Sequence, residues 1–178
     1  MIDAGANVGT FSIFAGHLAP QGRIYSFEPA PETFATLQKN VSEYANIECH
    51  EMGLGKSEED KDFFVYSDGS GGNAFIDSEL KLDESIGHRG RSHTTSIDRF
   101  AASFTRLDFL KIDTEGYEAN ILKGAEETIK RLKPVIAMSA YHKPQDKVEL
   151  AEIVQSFHPG YRCDLVKSFD EDLLICTP

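Results

Sequence analysis

Along this chain, short apolar runs alternate with stretches in which apolar residues recur every three or four positions, and the two periods predict strands and helices in turn. Thr10 to Leu18 predicts a helix, Arg23–Phe27 (RIYSF) a strand, and Pro31 to Tyr44 a second helix with Phe34, Leu37 and Val41 at helical spacing. Ile47–Glu51 reads as a third strand. From Lys56 to Thr95 the pattern thins: KDFFVY reads as strand, SDGSGGN (67–73) as loop, and the remainder is polar with scattered apolar residues. Residues 56–95 are therefore expected to form an insertion or lid within one domain spanning 1–178. Regularity returns with Leu107–Ile112 as a strand, Glu118–Leu132 as one helix and Val135–Ser139 as a strand. A helix from Gln145 to Phe157, introduced by Pro144, precedes two closing strands, Tyr161–Val166 and Asp172–Cys176. This alternation predicts an α/β fold: a mostly parallel sheet covered on both faces, ending in an antiparallel hairpin.

The opening turn, MIDAGANVGTFS, joins the first strand to the first helix, which is where doubly wound sheets hold their ligands. A dinucleotide site favours GxGxxG, because its second glycine lets the backbone approach a pyrophosphate. Here the pattern is DxGxNxG, with Asn7 in place of that glycine, so the ligand is expected to carry no pyrophosphate. Gly5 supplies the tight turn and Gly9 a close helix–sheet approach. Asp3 suits an ammonium, directly or through water, and the free amides at the helix start suit a carboxylate. Glu28 ends the second strand about 20 residues after the turn, where an acid accepts hydrogen bonds from ribose hydroxyls. A ribose and an amino-acid moiety without phosphate describe S-adenosylmethionine. Pro29 and Ala30 are then expected to wall its adenine, with Gly53 and Leu54 at the other edge.

A third motif, LKIDTEGYEANILKGA (110–125), places Asp113 at the carboxyl end of a strand, on the same face as Lys111. Asp113 is a candidate to orient the cofactor, take a substrate proton or hold a substrate hydroxyl. His142, just after the fifth sheet strand, is the competing base, and a neutral imidazole there could accept the proton of an alcohol. A further alternative has Asp113, Glu115 and His142 holding a divalent metal. Glu118 reads as a first-turn acid favourable to the helix dipole. Tyr141 is placed to stack on a sugar or to pack, and the SDGSGGN loop to fold over an acceptor or simply to connect strands. HRGRSH (88–93) forms the local cationic cluster, read as an anion contact or as solvated surface.

Composition narrows the partners. A formal charge of −11 and a pI near 4.9 repel a phosphate backbone, so nucleic acid is not expected. No stretch reaches the roughly 20 apolar residues of a membrane span. Three well-separated cysteines, Cys49, Cys163 and Cys176, with no CxxC pair, are expected to be reduced thiols in a cytoplasmic protein, the last two packed in strands.

Taken in order, DAGANVGTFS, YSFEPAPETFATLQKN, TTSIDRF and LDFLKIDTEGYEANILKGA resemble the FkbM family of S-adenosylmethionine-dependent methyltransferases. MSAYHKPQDKVEL and HPGYRCDLV resemble one branch of it, often found near sugar-modifying enzymes. The resemblance implies the Rossmann-like class I methyltransferase fold, a seven-stranded sheet with its last strand antiparallel, and methyl transfer usually to oxygen. It places cofactor contacts at Asp3, Gly5, Asn7, Gly9, Glu28 and Asp113. The acceptor is expected to be a hydroxyl of a saccharide or a polyketide-like small molecule. Only Met1 and Ile2 precede Asp3, so the first strand is expected to be truncated and the domain marginally stable or inactive. Two alternatives belong to other classes: a nicotinamide-dependent oxidoreductase, and a cofactor-binding domain without catalysis.

Overall fold

The computed structural model describes residues 1–66, 73–76, 85, 87–167 and 171–178. Its main body is a seven-stranded sheet built from β1 (Ile2–Ala4), β2 (Ile24–Phe27), β3 (Ile47–His50), β8 (Phe109–Ile112), β9 (Val135–Ser139), β10 (Arg162–Lys167) and β11 (Asp172–Thr177). Their order is β10-β11-β9-β8-β1-β2-β3, with β11 antiparallel to both its neighbours and the other pairs parallel. Although β1 is only three residues long, it occupies the middle and pairs with β2 on one side and β8 on the other. The order reverses between β1 and β8, and ligands of open parallel sheets bind above the carboxyl ends at such a point.

Alternation assigns the two faces. Leu110 and Ile112 of β8, Ile136 and Met138 of β9, and Leu174 and Cys176 of β11 are all at most 2% exposed. They form one apolar cluster with α4 (Glu118–Lys123), α5 (Glu126–Leu132) and α6 (Asp146–Phe157). On the opposite face, α1 (Thr10–Leu18) and α2 (Pro31–Asn40) bring Ile13, Phe34 and Leu37 against Ile47 and Cys49 of β3.

The expected single helix over 118–132 is two. Gly124 interrupts it because the chain after β4 (Gly53–Leu54) passes so close that a Cβ there would lie 2.0 Å from the Gly55 carbonyl oxygen. The second piece is capped from outside: Asp98, in the short helix α3 (Ile97–Phe100), accepts from the Thr128 and Glu127 amides at 2.7 and 3.1 Å.

Within the region expected to be an insertion or lid, β5 (Glu59–Tyr66), β6 (Ala74–Phe75) and β7 (Gly87–Thr95) join β4 in a second sheet of order β4-β7-β5-β6. Its Phe63, Val65 and Phe75 share the main core with Tyr117 and Leu54. The basic HRGRSH run lies in β7, where Arg91 and His93 face Asp62 and Asp60 of β5 at 3.8 and 3.0 Å. The SDGSGGN loop falls at residues 67–72 outside the described residues.

The expectation of three reduced thiols is corrected. Cys163 of β10 and Cys176 of β11 are directly opposed in the antiparallel register, their Cα atoms 4.0 Å apart, and form a disulfide. Cys49 is free. Among the described residues no helix is long and apolar enough to cross a membrane.

Candidate active site

The turn after β1 is shaped by three left-handed residues, Gly5 (φ 74°), Asn7 (φ 50°) and Gly9 (φ 93°). Glycine is required at position 5, because a Cβ there would lie 1.9 Å from the Asp113 carbonyl oxygen. Asparagine is among the few other residues that adopt this conformation readily. It turns the Asn7 amide toward β2, where the amide donates to Glu28 Oε2 at 3.0 Å. The Ala30 amide donates to Glu28 Oε1 at 3.0 Å. Burial nevertheless pushes the Glu28 carboxyl up to about 7, the two amide bonds only partly offsetting it. It is a buried acid with acceptor capacity to spare.

Glu28 lines a pocket with Gly5, Asn7, Pro29, Gly53, Leu54 and Asp113. Of the expected cofactor contacts, these seven are brought together. Phe27, Phe63, Asn73, Ala74, Phe75, Thr114 and Glu115 complete the lining. The second sheet thus supplies an aromatic roof, which its irregular apolar spacing did not reveal.

Asp3, Gly9 and Ala30 are placed behind that wall. Asp3 is fully buried; its Oδ2 accepts from Ser12 Oγ at 2.6 Å, and Lys111 Nζ lies 3.0 Å from its Oδ1. Asp3 is expected from the sequence to meet an ammonium directly or through water; in the structure the ammonium beside its Oδ1 is that of Lys111, from the neighbouring strand. Lys111 also donates to the Gly5 carbonyl at 2.8 Å and lies 3.9 Å from Asp113 Oδ2. Gly9 packs against α2, where a Cβ would lie 2.7 Å from Leu37.

At the carboxyl ends of β8 and β9 the third motif closes around His142. Its side chain is 4% exposed, with Nδ1 3.0 Å from Glu118 Oε1 and Nε2 3.4 Å from Glu115 Oε2 and 4.0 Å from Asp113 Oδ1. Ser139 Oγ donates to Asp113 Oδ1 at 2.7 Å. Glu118 is more than a first-turn acid. It is 1% exposed and accepts from the Thr114 and Gly116 amides at 3.0 and 3.2 Å as well as meeting the imidazole. Its spacing to Ile121, Leu122 and Ala125, all fully buried, is the sequence signal that it faces inward. Burial pulls the His142 imidazole down, but the Glu118 hydrogen bond and the surrounding carboxylates carry it above its ordinary value. Burial raises Glu115. Burial, then Asp113 and its acidic neighbours, raise the Tyr141 phenol. Tyr141 packs against His142 with ring centroids 4.2 Å apart.

The methyltransferase FkbM domain profile matches residues 3–163 of this sequence. The chain belongs to the FkbM methyltransferase family. It is 28% identical over 146 residues to Methyltransferase 1 of Beauveria bassiana, covering 71% of this chain and 58% of that one. Methyltransferase FkbM from Methylobacillus flagellatus KT superposes with a TM-score of 0.71 at 24% identity, over 98% of this chain and 42% of that chain. Aeropyrum pernix fibrillarin, solved with natively bound S-adenosyl-L-methionine, superposes at 0.54 and 15% identity, over 99% and 65%. The fold is that of the class I methyltransferases, with the expected seven-stranded, mostly parallel sheet and antiparallel β11. The FkbM chain spans 58% of the length of the curated relative and 42% of the solved one.

Proposed function

We propose that this FkbM chain is an S-adenosylmethionine-dependent O-methyltransferase acting on a hydroxyl of a saccharide or polyketide-like small molecule. The observation that carries the cofactor assignment is Glu28: buried, lining the pocket, and with one hydrogen bond to each oxygen, which leaves each free to accept another. Two ribose hydroxyls are donors of the right kind. In this reading Pro29, Gly53 and Leu54 contact adenine, and Gly5, Asn7 and Asp113 the amino-acid end. Asp3 and Gly9 act from behind, one through Lys111 and the other through α2.

Bound S-adenosylmethionine supplies a methyl group already activated by its sulfonium, so the chain must orient an acceptor and manage one proton. His142 Nε2 is buried beside Asp113 and Glu115, and Glu118 fixes the other ring nitrogen. An acceptor hydroxyl placed there gives its proton to Nε2, and the resulting imidazolium is balanced by Glu118. Asp113, held by Ser139, positions the hydroxyl.

Calorimetric titration with S-adenosylhomocysteine tests the assignment. Saturable binding is expected, weakened at least tenfold in Glu28→Ala; a folded chain that does not bind S-adenosylhomocysteine, or binding unchanged in Glu28→Ala, overturns it. Binding without methyl transfer across an acceptor panel favours the cofactor-binding domain without catalysis.

A further inference from the structure

We propose that Asp113, Glu115 and His142 form a site for one divalent cation of the manganese or magnesium class. The three side chains each offer a ligand atom, and the three atoms lie within 4.8 Å of one another. Clustered acids alone do not make a site, because exposed carboxylates gather without ions. What sets this one apart is His142 Nε2: its side chain is 4% exposed, the atom has no hydrogen-bond partner, and it faces both carboxylates.

The opposite ring nitrogen is held by Glu118 Oε1 at 3.0 Å. Glu118 is itself pinned by the Thr114 and Gly116 amides, so the imidazole cannot swing away. A carboxylate gripping the remote nitrogen of a histidine is the arrangement that orients metal-binding imidazoles and keeps Nε2 available.

The spacing also fits. Ligands bound about 2.1 Å from one ion, at octahedral or tetrahedral angles, lie roughly 3.0–3.4 Å apart. His142 Nε2 and Glu115 Oε2 are 3.4 Å apart, Asp113 Oδ1 is 4.0 Å from Nε2, and all three ligand atoms lie within 4.8 Å of one another, so the aspartate closes on the ion by about 1–2 Å. Two carboxylates with one imidazole and no thiolate disfavour soft metals and suit manganese. Glu115 and Asp113 line the pocket, so the remaining coordination positions open toward it.

The ion's role, unlike its binding, rests on the methyltransferase reading. It gives an acceptor hydroxyl a place to coordinate, and a coordinated hydroxyl ionises more readily, its proton leaving to bulk water. With the ion bound, Nε2 is a ligand and no longer the base: the ion's activation of the hydroxyl replaces the direct proton transfer to His142 that operates without it.

The test is direct titration of the chelator-treated chain with Mn2+, followed by loss of the electron paramagnetic resonance signal of the free aqua ion. One site per chain is expected, weakened at least tenfold in Glu115→Gln and His142→Gln, with circular dichroism establishing that each variant is folded. In the unmodified chain, Mn2+ should broaden the His142 ring-proton resonances before those of any other histidine. Absence of saturable uptake, unchanged affinity in folded variants, or broadening centred elsewhere overturns the site. S-adenosylhomocysteine is titrated in parallel: its binding without Mn2+ uptake removes the metal and leaves the cofactor assignment, and Mn2+ uptake without it does the reverse.

Discussion

The Asn7 amide donates to Glu28 Oε2 at 3.0 Å, tying together two motifs 21 residues apart. The glycine turn and the acid at the end of β2 are one device: the turn's left-handed backbone supplies a donor that holds the acid in the pocket wall. Three predictions follow from this pair and from two others.

On the proposed assignment, Glu28 makes cofactor affinity depend on pH. Burial raises its folded value to about 7 from an ordinary 4.5. The folded chain keeps a proton that the unfolded chain has released, so this side chain's contribution to stability is fully present below about 4.5. That contribution, on the order of 3 kcal/mol, is lost as pH rises through 7. Ribose hydroxyls need the carboxylate, so binding expels the proton. The affinity for S-adenosylhomocysteine should rise as pH increases from about 6 to about 8 and then level off. Calorimetry in buffers of different ionisation enthalpy should report proton release near pH 6 that disappears in Glu28→Gln; equal affinity at both ends of that range would contradict the assignment.

Lys111 neutralises a fully buried acid. Removing it as Lys111→Met leaves Asp3 without its counter-ion in the centre of the sheet, where burial already raises its carboxyl. Urea unfolding should show a loss of about 3–5 kcal/mol. The double variant Asp3→Asn with Lys111→Met should recover a substantial part of it. If both variants are equally unstable, the pair is not acting as a charge pair.

The disulfide fastens the sheet's edge hairpin. Cys163 and Cys176 are 13 residues apart, and closing a loop of that size is worth about 3 kcal/mol in the unfolded chain. Cys163→Ser, or added dithiothreitol, should lower the urea midpoint correspondingly, while Cys49→Ser leaves it in place. An unchanged midpoint under full reduction would show that the hairpin is held by its ladder alone.

Much of the main sheet was legible because its elements are strongly periodic. Thr10–Leu18 and Val135–Ser139 have the predicted bounds, and the strands of the main sheet come along the chain where they are expected. The split at Gly124 was not, because its cause is a backbone 69 residues earlier: the Gly55 carbonyl that would lie 2.0 Å from a Cβ. The pocket's floor was legible at Gly5, Asn7 and Glu28, where left-handed turns and a strand-end acid leave local signatures. Its roof was not: KDFFVY reads as strand, but Phe75 sits in a two-residue strand, and the pairing that brings Phe63 and Phe75 over the pocket depends on β5, β6 and β7 together. Lys111 was assigned to the correct face, yet its pairing with Asp3 spans 108 residues and two strands. Cysteine spacing says nothing about which strands oppose each other, and it is the register that sets Cys163 against Cys176.

The contact between position 5 and the Asp113 carbonyl divides the pocket for anyone wishing to redesign it. No side chain beyond hydrogen fits at residue 5, so the floor is closed to directed evolution. The roof is made by Ala74 and the aromatic side chains of Phe63 and Phe75. Libraries meant to reshape this pocket should therefore be spent there, leaving the glycine turn untouched.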